Sequence, residues 1–503
     1  MQSYHLDRVF ARAKSRIRRW LSVRRGPSTD SNSFVTSPTS TLIDDNDSKF
    51  DDHTSSKPDP FFHITDQLLE QIFVTGSQMG VEGTASTAPF EVIVSHVSSR
   101  WRSVSINTPP IWSTIDTRDS PPLDLLNEYM RRSKGCPLDI RLDLSQTLWL
   151  ANGPALLDLI VESADRWRRL SITSDFQAAG EIICGRFSGL LVPLLEHFSI
   201  IFLDVPKLPY FLSDRHFYPQ IFKSGAPSLS VVRLQNIGMH LLRPPLASIT
   251  TLHLEEFNHA LMSYSRFCAM IEAMPNLTNL SIYGKFVAVW PRNLTESEIR
   301  MPALRSLRSC ENESLGGLLL AISAPRLESL VLRNVGDHHL SKFLEQQQER
   351  RYMNKFPCMQ SLTCDTYSFQ SPMCTYLRDA FPSVWHFTSL RASNRNESSA
   401  LDLLLGPPGC CRSPWKNLRT LSVDGSVDPD VLCSIVETRA AAGWPIVRLR
   451  TYGCKGGLPS TVLGRLRRQG VEVDECGTVS ELVTRWPPGL DYDDDDDMFR
   501  PCR

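Results

Sequence analysis

The residues that could do chemistry are few, and no familiar catalytic pattern joins them. Asp337-His338-His339 offers a carboxylate and two imidazoles in succession, the raw material of a metal site. Adjacent side chains at the start of a helix, however, point to different faces. The chain has 13 cysteines, from Cys136 to Cys502, with no Cys-x-x-Cys pair; Cys410-Cys411 is adjacent rather than metal-spaced. The spacing of a structural zinc site is therefore missing, and free thiols in a reducing compartment are expected. Gly406-Pro407-Pro408-Gly409, ahead of those two cysteines, reads as a turn. There is no glycine-rich phosphate loop followed by Lys-Ser/Thr, no Gly-x-Ser-x-Gly elbow and no His-Glu-x-x-His helix. Scattered Ser, His and Asp residues leave open a triad assembled by the fold. The expectation is a chain that binds rather than catalyses, with no cofactor and no metal.

Charge is arranged along the chain rather than spread over it. Lys and Arg total 54 and Asp and Glu 55, a net charge of −1, which argues against a surface built throughout for nucleic acid. Residues 1–26 carry eight Lys/Arg against one acid, and Phe10, Ala13, Ile17, Trp20 and Leu21 recur there at helical spacing. A basic amphipathic helix for a membrane surface, a nuclear signal, a mitochondrial presequence and a frayed tail all fit that pattern. Residues 27–59 are rich in Ser, Thr, Asp and Pro and predict a disordered linker. Residues 481–503, which contain Asp491 and Asp493 to Asp497, predict an acidic disordered tail. The most apolar stretch, Phe187 to Val205, is broken by Pro193, Glu196, His197 and Asp204, so no membrane span is expected.

Between the ends lie two kinds of element that could position a binding site. Residues 60–116 predict a small helical module. Leu68, Leu69, Ile72 and Phe73 share one helix face after a Thr65 or Asp66 cap, and Val94, Val97, Trp101 and Val104 share another. A polar insertion, residues 75–89, separates the two, and Pro109-Pro110 stops the second. The run from Ile64 to Phe73, then Val94 to Arg102 and Thr108-Pro109-Pro110-Ile111-Trp112-Ser113, resembles an F-box. It is most similar to the F-box-like proteins of mushroom-forming fungi, and Leu126 to Leu144 resembles the segment that follows the box there. It departs from that family in opening with Ile64-Thr65 instead of Leu-Pro, and in the length of the insertion. The resemblance implies docking on the Skp-type adaptor of a cullin–RING ubiquitin ligase through Ile64, Leu68, Leu69, Ile72, Phe73, Val97, Trp101, Pro110 and Trp112. A helical module this small cannot bury all its apolar side chains alone, which agrees with an apolar strip kept for a partner helix.

Residues 117–480 carry a degenerate L-x-x-L-x-L motif. Eleven copies start between Trp167 and Ile446, about 28 residues apart, most with a proline nearby. Leu277/Leu280/Ile282, Leu327/Leu330/Leu332 and Leu418/Leu421/Val423 are the clearest. Apolar residues at i+3 and i+5 share one face of a short strand, and helices are read between several strands, at Leu261 to Met274, Leu340 to Arg351, Val431 to Ala442 and Val462 to Arg468. The predicted fold class is α/β, a three-helix F-box-like module followed by an irregular leucine-rich-repeat solenoid with disordered termini; an ordinary α/β domain with leucine-rich strands is the other architecture. The strand positions between the leucines are expected to face solvent on the concave side. There Arg233, His253, Tyr283, Arg305, Arg308, Arg333 and Arg419 form a mildly basic stripe suited to an acidic protein partner. The function expected is a substrate-recognition subunit of an SCF-type ligase, binding the Skp-type adaptor and a protein substrate, in cytoplasm and/or nucleus. The alternative is a leucine-rich interaction scaffold outside any ligase.

Overall fold

The computed structural model describes residues 64–78, 89–117, 121–144, 146–174, 177–203, 219–236, 242–256, 261–291, 298–310, 315–336, 338–340, 343, 355–365, 377, 380–390, 401, 404, 415–424, 427–452 and 457–476. All belong to one compact unit, Ile64–Arg503. The basic segment, the linker and the acidic tail read from the sequence lie outside the described residues, as do most of the 75–89 insertion and the Gly406–Cys411 turn.

The described residues begin with helices α1 (Asp66–Gln78), α2 (Phe90–Ser95) and α3 (Ser99–Ile106) and a 3-10 turn at Pro109–Trp112. Each has a local cause. Thr65 accepts from the Leu68 N–H at the start of α1, and Ser98 caps α3 by accepting from the Trp101 N–H at 3.2 Å. The paired prolines at 109 and 110 end α3, but they build a further short turn that seats Trp112.

From Thr114 onward the described residues are dominated by one parallel sheet of 14 strands. Its strands are β1 (Thr114–Asp116), β2 (Leu138–Asp143), β3 (Trp167–Ser174), β4 (His197–Phe202), β5 (Val231–Gln235), β6 (Thr251–Glu256), β7 (Asn279–Gly284), β9 (Ser306–Cys310), β11 (Ser329–Arg333), β12 (Ser361–Asp365), β13 (His386–Ser389), β14 (Thr420–Asp424), β15 (Arg448–Tyr452) and β16 (Glu472–Cys476). They lie side by side in chain order. The short strands β8 (Ile299–Arg300) and β10 (Ile322–Ser323) form a separate pair. A parallel sheet whose neighbours are consecutive in sequence is compatible with a solenoid-like repeat architecture.

All eleven motif copies fall on these strands, and the register aligns them. Leu170, Phe198, Val232, Leu252, Leu280, Leu307, Leu330, Leu362, Phe387, Leu421 and Leu449 are partners in one continuous row. Every residue of that row is buried, as is the residue three positions before each, from Trp167 to Ile446. The preceding residues continue the ladder: the N–H of Arg305 donates to Thr278, that of Glu328 to Arg305, that of Gln360 to Glu328 and that of Trp385 to Gln360. The sheet also reaches beyond the eleven copies. Ile140 extends the apolar row at its start, and Val473 extends it at its end.

Helices connect several strands: α4 (Leu123–Arg132), α5 (Gln146–Val161), α6 (Gln177–Phe187), α7 (Tyr264–Glu272), α8 (Leu315–Ala321), α9 (Pro429–Ala441) and α10 (Ser460–Arg468). Three of the four helices read from the sequence are α7, α9 and α10; of the fourth, only Leu340 and Phe343 are described. Two turns need unusual backbone. Asn236 and Asn334, just after β5 and β11, adopt positive φ, a conformation asparagine tolerates. Gly284 ends β7 at φ +74, where a Cβ would lie 2.0 Å from the Glu256 carbonyl oxygen, so no other residue fits without a shift. Among the described residues no helix is long and apolar enough to cross a membrane.

Candidate functional site

Two surfaces can hold a partner. The first is on the helical module, where the residues proposed for docking divide by burial. Leu69, Phe73, Trp101 and Trp112 are buried and form the module's own core. Phe73 and Trp101 meet at 5.1 Å between ring centroids, and Trp112 packs edge-on against Tyr129 of α4, also at 5.1 Å. The Trp112 indole N–H donates to the Ser105 carbonyl at 2.7 Å, and the Arg132 guanidinium lies 4.3 Å from the Trp112 ring centre. These four side chains are therefore committed inward. Ile64 and Ile72 are half-buried and Pro110 is exposed, while Leu68 and Val97 are 41% and 47% exposed. Leu68 and Ile72 stand four residues apart on α1, one turn along the same face. Arg100 of α3 donates to the Ile64 carbonyl and to Asp66, at 2.9 Å from Nε. These bonds bring the start of α3, beside Val97, against the start of α1, beside Leu68.

The second surface is the face of the sheet opposite the leucine row. One register row on it runs Asp116, Arg141, Ser171, Ser199, Arg233, His253, Ser281, Arg308, Val331, Thr363, Thr388, Ser422, Arg450 and Asp474. The sequence expectation that this stripe faces solvent needs correction. His253, Tyr283, Arg308 and Arg333 are buried, and Arg233 is nearly so. Neighbouring strands in a sheet lie about 4.8 Å apart, so long polar side chains cover one another. Arg233 donates to Glu255 at 2.7 Å; His253 bonds the same carboxylate; the His253 and Tyr283 rings lie 5.4 Å apart; and the Arg333 guanidinium donates to the Tyr283 hydroxyl at 3.3 Å. Arg305 and Arg419 differ in place: they precede β9 and β14 and are exposed, Arg305 pairing with Glu328 at 3.0 Å and Arg419 donating to the Pro445 carbonyl at 3.3 Å.

Electrostatics on this face follow from burial. Desolvation pushes His253 below its ordinary range, outweighing the neighbouring Glu255 carboxylate, which raises it; the Arg233 and Arg308 charges push the same way as burial. Burial would raise the Glu255 carboxyl, but His253 and Arg233 outweigh it and hold the group at about 2. Desolvation also lowers His197 to about 3, helped by Arg169, Arg233 and Arg141, and lowers His386 to about 4, helped by Arg450. The Tyr283 hydroxyl is pushed up by burial.

Sequence reasoning missed several residues of this face: Arg141, Arg169, His197, Ser199 and Glu255. Arg141 lies on β2, and continuing the motif frame one copy upstream, to Ile140 and Leu142, would have found it. Glu255 follows the last apolar residue of its copy, the same offset that holds Tyr283 and Arg333 in theirs, so the motif frame offers it as well. The rings of His338 and His339 are also closer than expected. Their centroids lie 3.8 Å apart with the planes tilted by 40°, and His339 Nδ1 accepts the Gly336 N–H at 2.8 Å. Among the described residues no group of three or more His, Cys, Asp or Glu side chains is placed to hold a metal ion. No protein-family model matches the chain, and no curated protein matches it.

Proposed function

We propose that this chain is the substrate-recognition subunit of an SCF-type cullin–RING ubiquitin ligase. The helical module is an F-box-like domain that docks on the Skp-type adaptor, and the strand array is an irregular leucine-rich-repeat domain that holds a protein substrate. The chain itself is not an enzyme in this reading. One observation carries it beyond the sequence resemblance: the module's core is closed by Leu69, Phe73, Trp101 and Trp112, yet Leu68 and Val97 stay 41% and 47% exposed at the joined starts of α1 and α3. An exposed apolar pair on a module with a finished core suits a helix-in-groove partner.

Co-expression with a Skp-type adaptor, followed by affinity capture, tests this. The unmodified chain is expected to retain the adaptor. Leu68→Asp combined with Val97→Asp is expected to abolish capture while leaving the melting temperature unchanged. Failure of the unmodified chain to capture the adaptor, or capture by the double variant, overturns the reading and leaves an interaction scaffold outside any ligase.

A further inference from the structure

The residue on either side of buried Trp101 is an arginine, and each donates to backbone outside α3. Arg102 Nε donates to the Ser95 carbonyl, at the end of α2, at 3.0 Å. Arg100 Nη2 donates to the Ile64 carbonyl, just ahead of α1, and Nε and Nη2 of the same guanidinium reach Asp66 Oδ1 at 2.9 and 2.8 Å. Ile64 and Asp66 flank Thr65, whose hydroxyl takes the Leu68 N–H at 3.3 Å. The first turn of α1 is thus capped from within by Thr65 and held from outside by Arg100.

That turn needs both. A helix start frays because its first N–H groups have no partner inside the helix. Proline at the first helical position would pre-set the backbone, but Asp66 stands there. Leu69 and Phe73 anchor α1 to the core further on, whereas Leu68 projects to solvent from the end that Arg100 holds. Val97 lies in the turn between α2 and α3, which Ser98 and Arg102 fix. The bonds that tie the Leu68 end of α1 to the Val97 turn are those of Arg100. Asp66 is exposed, and an exposed ion pair by itself contributes little. The bond to the Ile64 carbonyl adds what the pair lacks: a planar, rigid fork serves a carboxylate and a carbonyl together only while the two helix starts keep one spacing.

We infer that Arg100 is a positioning residue for adaptor docking, one that pre-sets the arrangement of Leu68 and Val97 and makes no contact with the adaptor itself. The inference rests on the receptor reading and adds how its docking pair is kept ready. Its signature is kinetic. When the binding-competent arrangement is populated only part of the time, apparent affinity falls by that fraction, and the loss is seen in association.

The test is biolayer interferometry of the full chain on an immobilised Skp-type adaptor, with thermal melting alongside. Arg100→Gln is expected to slow association by about fivefold, to leave dissociation within about twofold, and to keep the melting temperature. Asp66→Pro added to Arg100→Gln is expected to restore association, because the proline pre-sets the helix start. Arg100→Gln with Asp66→Asn has the same charge and no proline, and is expected to stay slow, which separates pre-organisation from charge steering. If an Arg100→Gln variant does not fold, Asp66→Asn alone decides, with association about twofold slower expected and an unchanged rate overturning the inference. Unchanged association in folded Arg100→Gln, a loss confined to dissociation, no recovery with Asp66→Pro, or equal recovery in both double variants also overturns it and leaves the receptor reading standing. Absence of adaptor binding by the unmodified chain overturns the receptor reading and the inference with it.

Discussion

The helical module and the strand array bury apolar side chains in opposite ways. In the module each large residue has a partner of its own: Phe73 meets Trp101, and Trp112 meets Ser105 and Tyr129. In the array one contact is repeated, with each leucine of the central row lying on the next strand's equivalent. The module is thus closed by a few irreplaceable residues, so an apolar side chain left outside is conspicuous. The array is closed by repetition, its apolar face is fully used, and the individuality that recognition needs is found on the polar face. The proposed adaptor contact accordingly lies among hydrophobic residues of the module, whereas the polar face of the array is where charged side chains differ from strand to strand.

Perturbations of different size sharpen this contrast. Trp101→Ala should cost about 3–5 kcal/mol, because a unique and nearly fully buried aromatic leaves a cavity no neighbour can fill. Calorimetry should show a clear fall in melting temperature, and an unchanged value would break the picture of a closed module. The array should instead be acid-labile. His197, His253 and His386 have folded pKa values below their ordinary 6.5, so the unfolded chain takes up protons first as pH falls. Their stability is present above 6.5 and lost below it; His197 alone should lose about 2 kcal/mol by about pH 5. Glu255 adds a further loss as pH falls from 4.5 towards 2, because its folded value is depressed. Denaturant midpoints between neutral pH and mild acid measure this, and His197→Gln should flatten the slope.

Gly284→Ala should destabilise by about 1–3 kcal/mol, since the added Cβ meets the Glu256 carbonyl and the backbone sits at positive φ. Glu91 of α2 has the opposite sign from Glu255. Burial raises its pKa above 4.5 despite the hydrogen bond from the Tyr129 hydroxyl, so its contribution to stability is greatest below 4.5 and is lost as pH rises through the raised value. Glu91→Gln should therefore raise the melting temperature at neutral pH and leave it unchanged in acid. The smallest effect belongs to Arg305→Gln. Its pair with Glu328 is 57% and 45% exposed, and a loss under about 0.5 kcal/mol is expected by denaturant titration.

Much of the fold was legible in the sequence. Period-two leucines marked every strand from β3 to β15 in the main sheet, because alternation on a strand is a local property. The strands at the two ends, β1 and β16, were not legible, since Thr114–Asp116 is too short to show a period and Glu472–Cys476 has a single apolar residue in the row. Their pairing depends on the neighbouring strand. On the module, helical spacing identified Leu68, Leu69, Ile72 and Phe73 together but could not separate those packed inward from those left outside.

By itself, then, the sequence determined which residues are apolar, at what interval they recur, and so where strands and helices form. The tertiary structure alone decided accessibility. Leu69 is buried and Leu68, one residue away, is exposed because a neighbouring helix covers one side of α1. Arg308 is buried and Arg141 only half-buried because side chains on adjacent strands, far apart in the chain, cover the one more fully than the other. Periodicity is set within a segment, whereas exposure is set by what other segments place beside it.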